Sequence, residues 1–172
     1  MNHLEQIVAE WLQFNEYYVR TSILVGRRKN GGFDGELDVV GLNLAKKHFI
    51  HVECSLDALS DDKRQARFKA KFERGRLYKD AIFPGLDLPD EIEQVAVLQL
   101  TGTQERFVGG VRVVTVRELI HEIEDRLRGM APLRNAVPSN YPLLRTLQLS
   151  ADASRVVERT GRAVIEKKWI SS

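Results

Sequence analysis

Hydrophobic residues near the N-terminus recur with the period of a helix and then give way to a strand pattern. The apolar positions of this first segment are Leu4, Ile7, Val8, Trp11 and Leu12. Their spacing predicts a helix over residues 4–14 that ends at Asn15. Residues 17–25 are rich in aromatic and β-branched side chains and are predicted to form a strand directly after the helix.

A turn and two further strands are predicted next. Residues 27–34 contain the pair Gly31-Gly32, which favours a turn or loop. Strands are predicted over residues 36–42 and 48–55, with residues 43–47 linking them as a hairpin. The first half of the chain is therefore expected to be a helix followed by a meander of three strands.

The basic segment after the third strand has the pattern of an amphipathic helix. Ser60 is a good N-cap, and the two aspartates that follow it suit a first helical turn because acids interact favourably with the helix dipole. The helix is predicted to extend to about residue 79 and to bury Phe68 and Phe72, which lie four positions apart.

Two more strands and a helix complete the regular pattern. Residues 84–89 are predicted to form a loop, and residues 94–100 and 111–116 are predicted to form strands. Residues 116–127 form an amphipathic helix with Leu119, Ile120, Ile123 and Leu127 on one side. The predicted order αβββαββα is typical of an α/β sandwich with a central mixed sheet.

The C-terminal part carries a weaker pattern. Pro132, Pro138 and Pro142 predict an irregular stretch from residue 130 onward. Residues 151–165 fit one helix interrupted by Gly161 and equally fit a hairpin that turns at Thr160-Gly161. We expect a core domain over residues 1–129 and an extension over residues 130–172 whose structure the sequence leaves open.

The composition is that of an ordinary globular protein, with 43% apolar and 29% charged residues in a chain of 172. No apolar run approaches the length of a membrane span, and the polar N-terminus gives no reason to expect a signal peptide. Cys54 is the single cysteine and cannot form an internal disulfide, so we expect a cytoplasmic location.

Positive charge is concentrated in one segment, although the net charge of the chain is only +2. With Glu73 the only acid among them, the basic residues there are Lys63, Arg64, Arg67, Lys69, Lys71, Arg74, Arg76 and Lys79. Such a segment can contact phosphates. On charge alone, the simpler interpretation is a solvated helix face.

The predicted hairpin carries acidic residues on one of its faces. Alternate side chains of a strand share a face, so Glu36 and Asp38 point the same way, as do Glu53 and Ser55. If the hairpin loop centres between residues 45 and 46, Asp38 lies opposite Glu53 and Glu36 lies opposite Ser55. A slip of one residue would separate them. In the favoured register three carboxylates would lie within about 5–8 Å of one another.

Crowded carboxylates raise one another's proton affinity unless a cation lies between them. Mg²⁺ or Mn²⁺ suits such a site because these ions take oxygen ligands, and a bound ion could activate a water for attack on a phosphate. The alternative is a hairpin whose acidic side faces solvent. The alternation of polar and apolar residues is the same in both cases.

One nuclease superfamily shares this arrangement of motifs. The segment Gly35-Glu36-Leu37-Asp38-Val39-Val40, then a hairpin and His51-Val52-Glu53-Cys54-Ser55, resembles the core of the PD-(D/E)xK nucleases. The chain is most similar to archaeal Holliday-junction resolvases and related restriction-type nucleases, over roughly residues 4–127. The resemblance implies a restriction-endonuclease-like α/β/α fold and DNA hydrolysis with Mg²⁺ or Mn²⁺.

The same resemblance assigns the metal site. It implies that Asp38, Glu53 and Glu36 hold the metal, and that Glu5 assists, because the first helix of that family carries a glutamate that reaches the site. His51 shares the face of Glu53 and is either a metal ligand, a residue that holds water, or a satisfied polar neighbour. Cys54 lies on the other face and is expected to be a buried apolar residue.

The chain departs from the family at the last motif position, where Ser55 replaces a lysine that positions or activates the attacking water. Serine supplies no positive charge, which puts catalysis in question but not the fold. Some family members carry this lysine on the following helix. If Phe68 and Phe72 face the sheet, Lys71 lies nearer the edge of that face than Lys69, so Lys71 is the first choice and Lys69 the second.

Three functions remain open at this stage: a metal-dependent DNA nuclease, an inactive relative that binds nucleic acid or protein, and a protein-binding module with solvated acids. For the nuclease, we expect five residues to contact the DNA backbone without reading sequence, namely Arg27, Arg28, Lys29, Lys63 and Arg67. A homodimer is expected only by analogy, since many relatives cut two strands as dimers.

Overall fold

The computed structural model describes residues 2–57, 60–99 and 106–160. Its elements are, in chain order, α1 (His3–Phe14), β1 (Tyr18–Arg27), β2 (Phe33–Asn43), β3 (His48–Ser55), α2 (Asp61–Leu77), α3 (Lys79–Ile82), β4 (Glu93–Leu98), β5 (Phe107–Val108), β6 (Val111–Thr115), α4 (Val116–Arg128) and α5 (Pro142–Thr160). The chain divides into two compact units, Met1–Leu119 and Ile120–Ser172. The domain boundary expected at residue 129 stays a prediction.

A mixed sheet of six strands forms the centre of the first unit, in the order β1-β2-β3-β4-β6-β5. The first three strands pair antiparallel, β3, β4 and β6 pair parallel, and β5 returns antiparallel to β6. The predicted α/β class with a central mixed sheet is therefore confirmed. The two elements of the first unit absent from the prediction, α3 and β5, have four and two residues and are too short to leave a period in the sequence.

The helix α1 starts where the sequence provides a complete cap. The side chain of Asn2 accepts hydrogen bonds from the backbone N–H groups of Leu4 and Glu5, and the Glu5 carboxylate accepts one from the Asn2 backbone. This capping box satisfies donors that a helix start leaves open. The apolar face of α1 then packs on the sheet, where a side-chain atom of Leu12 lies 3.2 Å from the position that a Cβ on Gly41 would take.

The helix α2 covers the opposite face of the sheet, because Gly41 faces α1 whereas Asp38 on the same strand contacts Lys71 of α2. As predicted, Phe68 and Phe72 are the buried anchors of α2. They pack in one core cluster with Ala96, Leu98, Val108 and Val113. Lys71, which directly precedes Phe72, is thereby held against Asp38 of β2 and Glu53 of β3.

In the second unit, α5 begins at Pro142, which the sequence had assigned to an irregular stretch. Proline suits the first position of a helix because its missing N–H would have no partner there. The described part of residues 151–165 is helical as far as Thr160, and residues 161–165 lie outside the described residues. The amide of the buried Gln148 binds the backbone at Val137, Met130 and Asn135.

A membrane-crossing helix is not found in the described ranges, since no helix there is both long and apolar enough.

Candidate functional site

The predicted register of the acidic hairpin is the one that β2 and β3 adopt. Pairing runs from Asn43 opposite His48 to Val39 opposite Val52, and the next step along both strands brings Asp38 across from Glu53. Glu53 is 0% exposed and Asp38 is 7% exposed. These two carboxylates therefore do not form a solvent-facing side of the hairpin.

A lysine from α2 joins the two carboxylates. The ammonium Nζ of Lys71 lies 2.8 Å from Oδ1 of Asp38 and also donates to Oε2 of Glu53. Lys71 directly precedes the buried Phe72, so it projects from the edge of the helix face that lies on the sheet. Asp38, Glu53 and Lys71 form what we call the carboxylate–lysine cluster.

The charges of the cluster depend on one another. Burial raises the pKa of Asp38 above its ordinary value, and the negative charge of Glu53 adds to this effect. Burial also works to raise the pKa of Glu53, but the hydrogen bond from His51 and the ammonium of Lys71 outweigh it and lower that pKa. Burial opposes the charge on Lys71, yet the two carboxylates raise its pKa. Lys71 therefore stays protonated at neutral pH.

Each carboxylate has a second hydrogen-bond partner at its remaining oxygen. The backbone N–H of Cys54 donates to Oδ2 of Asp38 at 2.9 Å. Nε2 of His51 lies 2.7 Å from Oε1 of Glu53. Both acids thus turn one oxygen toward the protein interior and the other toward Lys71, which fixes the planes of the two groups.

His51 is a buried polar neighbour of the site whose two ring nitrogens both have partners, which is one of the roles expected for it. Its ring is fully buried, and its Nδ1 lies 3.2 Å from the side-chain amide of Gln94 on β4. Gln94 was not predicted from the sequence. Its contact with His51 depends on the parallel pairing of β4 with β3, and no local sequence pattern indicates that pairing. Cys54 is buried on the other face as expected, and burial raises the pKa of its thiol.

The two outer acids of the predicted metal site are not part of the cluster. Glu36 is exposed and makes no hydrogen bond or ion pair with the portion of the chain that the structure describes. Glu5 binds the backbone and side chain of Asn2 as part of the α1 cap. Its charge still contributes to raising the pKa of Cys54, so it lies within electrostatic range of the strand that carries Glu53.

The other two residues considered for the role of the motif lysine, Lys69 and Ser55, differ from Lys71 in exposure and in contacts. Lys69 is exposed on α2. Ser55 is buried at the end of β3, where its hydroxyl accepts a hydrogen bond from the backbone N–H of Asp57 at 3.1 Å. Its hydroxyl therefore closes the turn that follows the strand.

The residues expected to contact nucleic acid are exposed, and two of them have acidic partners. Arg28 pairs with Asp34 at 2.8 Å, and Arg67 pairs with Asp57. Three others are exposed, namely Arg27, Lys29 and Lys63. Exposed pairs contribute little to stability and can be exchanged for phosphates at small cost.

The carboxylates of Asp38 and Glu53 are oxygen donors of the type that Mg²⁺ and Mn²⁺ take, but they do not make up the three-acid metal centre expected from the sequence. Within the described residues no group of three or more His, Cys, Asp and Glu side chains could hold a metal. Asp38 and Glu53 nevertheless direct one oxygen each at the same point, the Lys71 ammonium. Mg²⁺ is commonly bound through one or two carboxylates with water and substrate phosphate completing its shell.

Comparisons with known proteins give no functional assignment. No family model and no curated protein matches the chain. Among solved structures, the chain is similar to the crystal structure of AF1548, a protein of unknown function. The identity is 13%, the match covers 93% of this chain and 88% of that chain, and the TM-score is 0.46.

Proposed function

We propose that this protein is a metal-dependent nuclease that hydrolyses phosphodiester bonds of DNA at the carboxylate–lysine cluster. The observation that carries the proposal is the contact of the Lys71 ammonium with both Asp38 and Glu53. A lysine beside two strand carboxylates is the set of groups that the sequence resemblance calls for. In this chain the lysine comes from α2, and Ser55 occupies the motif position at which that family usually has its lysine.

The burial of the acids supports this proposal over a purely structural one. Taking two carboxylates and an ammonium out of water is costly, and apolar residues of similar volume often stabilise a fold better. Strongly coupled and buried charges of this kind are found preferentially at functional sites. A protein that only needed a stable hairpin would gain by having apolar residues in place of Glu53 and Lys71.

Each residue has a defined part in the proposed reaction. A divalent cation bound at Asp38 and Glu53 would supply an activated water and stabilise charge on the phosphate. Asp38 and Glu53 are the groups that would hold it. Lys71, protonated at neutral pH because its pKa is raised, would hydrogen-bond the attacking water or neutralise a phosphate oxygen.

Cleavage assays test the proposal directly. The purified protein is incubated with linear, circular and branched DNA in Mg²⁺ or Mn²⁺, and with EDTA. We expect metal-dependent cleavage that falls by at least about 100-fold in Asp38→Asn, Glu53→Gln and Lys71→Met. Lys69→Met is the matched control, because Lys69 is an exposed lysine of the same helix. Absence of cleavage by the unaltered protein on every substrate in both metals would contradict the proposal.

The second candidate is a catalytically inactive module of the same fold that binds nucleic acid or a protein. It is favoured by the absence, among the residues described, of any group of three side chains suited to a metal. In such a module the Lys71 ammonium would permanently replace the cation. Binding of DNA that is unchanged by EDTA and unaccompanied by cleavage would favour this candidate.

DNA as the substrate, the cytoplasm as the location and a homodimer as the assembly belong to the same proposal. The buried free thiol of Cys54 is compatible with a reducing compartment. Light scattering of the purified protein, alone and with a DNA duplex, measures the assembly, and a monomer in both samples would remove the homodimer from the proposal.

A further inference from the structure

His51 is a fully buried histidine that contacts Glu53 from the side away from Lys71. Its Nε2 lies 2.7 Å from Oε1 of Glu53, and its Nδ1 lies 3.2 Å from Nε2 of Gln94. The ring of Phe72 packs against it at a centroid distance of 5.5 Å, nearly edge to face. The imidazole is thus held on three sides and has no room to turn.

The neighbours of Gln94 indicate which imidazole nitrogen carries the hydrogen. The amide oxygen of Gln94 accepts from Arg76, and its nitrogen donates to the backbone oxygen of Phe72 at 2.8 Å. The amide cannot be turned around without losing both bonds, so it presents an N–H to Nδ1 of His51. The neutral ring then carries its hydrogen on Nε2 and donates it to Glu53.

The helix α2 has a glycine where this ring approaches it. A Cβ on Gly75 would lie 2.3 Å from Nδ1 of His51 and 3.0 Å from Nε2 of Gln94. Glycine in a helix interior is less stabilising than alanine. Gly75 is therefore unfavourable for helix stability, but its lack of a side chain leaves the space in which His51 and Gln94 contact each other next to α2.

We propose that His51 is a positioning residue, which holds the Glu53 carboxylate by one oxygen so that the other is directed at Lys71, and that Gln94 steadies the imidazole by a contact at its other nitrogen, Nδ1. The consequence for catalysis rests on the proposed nuclease function. The orientation of Glu53 does not, and it can be measured on a protein that cleaves nothing.

Two substitutions at the same position separate hydrogen bonding from packing. His51→Gln places an amide N–H near the position of the imidazole Nε2, whereas His51→Leu fills similar space without a donor. The first measurement is the ¹H–¹⁵N signal of the Lys71 ammonium, which is observable when its hydrogens exchange slowly in a fixed hydrogen bond. We expect this signal in the unaltered protein and in His51→Gln, and its loss in His51→Leu.

His48→Gln is the control, since His48 lies at the other end of β3 and contacts Tyr17 and Glu93 instead. It should leave the Lys71 signal unchanged. In the cleavage assay, His51→Leu should lower kcat by about 10- to 100-fold with KM for DNA unchanged, and His51→Gln should recover most of that loss.

The imidazole tautomer gives a readout that does not depend on how the leucine variant folds. Long-range ¹H–¹⁵N spectra should show His51 protonated at Nε2 alone. Gln94→Met should shift the Nδ1 signal while the hydrogen stays on Nε2, because the ionised Glu53 carboxylate can only accept. Equal loss of the Lys71 signal in both His51 variants, or a hydrogen on Nδ1 in the unaltered protein, would overturn the proposal. A correct tautomer and Lys71 signal without any cleavage would instead mean that positioning is right and the nuclease function is wrong.

Discussion

Two carboxylates as close as Asp38 and Glu53 cannot both be buried and ionised without a positive partner. Lys71 is that partner, and it is 15% exposed at its side chain while Glu53 is 0% exposed. The pKa of Asp38 is raised because burial and the charge of Glu53 outweigh the effect of Lys71, whereas the pKa of Glu53 is lowered because His51 and Lys71 together outweigh burial. The cluster therefore carries one net negative charge when all three groups are ionised.

Removing the ammonium should destabilise the fold. Lys71→Met leaves two carboxylates without their partner, and we expect the free energy of unfolding at pH 7 to fall by about 3 kcal/mol. Chemical denaturation measures this change. Lys69→Met should change the unfolding free energy by less than about 0.5 kcal/mol, because Lys69 is exposed. Equal effects of the two substitutions would mean that the ion pairs of Lys71 carry no stability.

The same substitution should strengthen metal binding. Lys71 and a divalent cation compete for one oxygen of Asp38 and one of Glu53. Unit charges about 4 Å apart near a protein surface interact by about 4 kcal/mol, so Lys71→Met should bind Mn²⁺ at least about tenfold more tightly. Electron paramagnetic resonance of free Mn²⁺ measures the affinity. Unchanged Mn²⁺ affinity in the variant would place the metal elsewhere.

The acid limb of the stability profile should report Glu53. Its pKa is lowered from 4.5, so its contribution is present above that pH and is lost as the pH falls through the lower folded value. Asp38 has the opposite sign, because a pKa raised from 3.8 makes its ionisation unfavourable to the folded state. As the pH rises from the lowered pKa of Glu53 towards 4.5, the unaltered protein should therefore gain stability relative to Glu53→Gln. Parallel profiles from denaturation at each pH would refute the assignment.

The periodicity of helices and strands allowed most residues of this site to be predicted from the sequence, because these residues lie on regular elements. Alternation grouped Glu36 with Asp38 on β2 and Glu53 with Ser55 on β3. A loop centred between residues 45 and 46, one of the registers that the sequence allowed, is what brings Asp38 opposite Glu53. The stripe of Phe68 and Phe72 gave the orientation of α2. At about 100° per residue Lys71 and Lys69 lie at equal angles on either side of this stripe, so it is the contacts with Asp38 and Glu53 that select Lys71. Each of these inferences needs only local geometry and one turn or contact.

Contacts between elements that are distant in the sequence could not be predicted from local periodicity. The alternation that groups Glu36 with Asp38 does not reveal that the pairing of β2 with β3 stops at Val39, while Glu36 pairs with β1 and is exposed. The role of Gln94 depends on which strand lies next to β3. The start of α5 was missed because prolines interrupt loops and open helices alike, and only its packing distinguishes the two.

The close approach of α2 to β3 can be tested at Gly75. Gly75→Ala would improve helix propensity, yet its Cβ would lie 2.3 Å from Nδ1 of His51. We expect the clash to prevail and the unfolding free energy to fall by about 1–3 kcal/mol. Gly129→Ala is the control, since a Cβ there meets nothing within 4 Å. Thermal denaturation of both variants measures the change in stability. A Gly75→Ala variant more stable than the unaltered protein would show that His51 has room to move.

The β1–β2 hairpin extends past the end of β3, and under the proposed function this asymmetry would decide where DNA binds. Pairing of β2 with β3 stops at Val39, whereas its pairing with β1 continues to Phe33. The exposed Arg27 and Lys29 lie at the tip of this projecting arm. The turn with Lys46 and Lys47 lies at the other end of β2, about 35 Å away for a strand of 11 residues.

DNA should therefore lie along the arm and across the carboxylate–lysine cluster, away from the β2–β3 turn. Binding is measured in EDTA at several salt concentrations, because each phosphate contact contributes about 0.9 to the slope of log affinity against log salt. Arg27→Ala with Lys29→Ala should reduce the size of that slope by about 2. Lys46→Gln with Lys47→Asn removes the same charge at the far end, and asparagine tolerates the positive φ of 49° at position 47. Equal losses in the two double variants would mean that DNA is attracted by overall charge and not held by the arm.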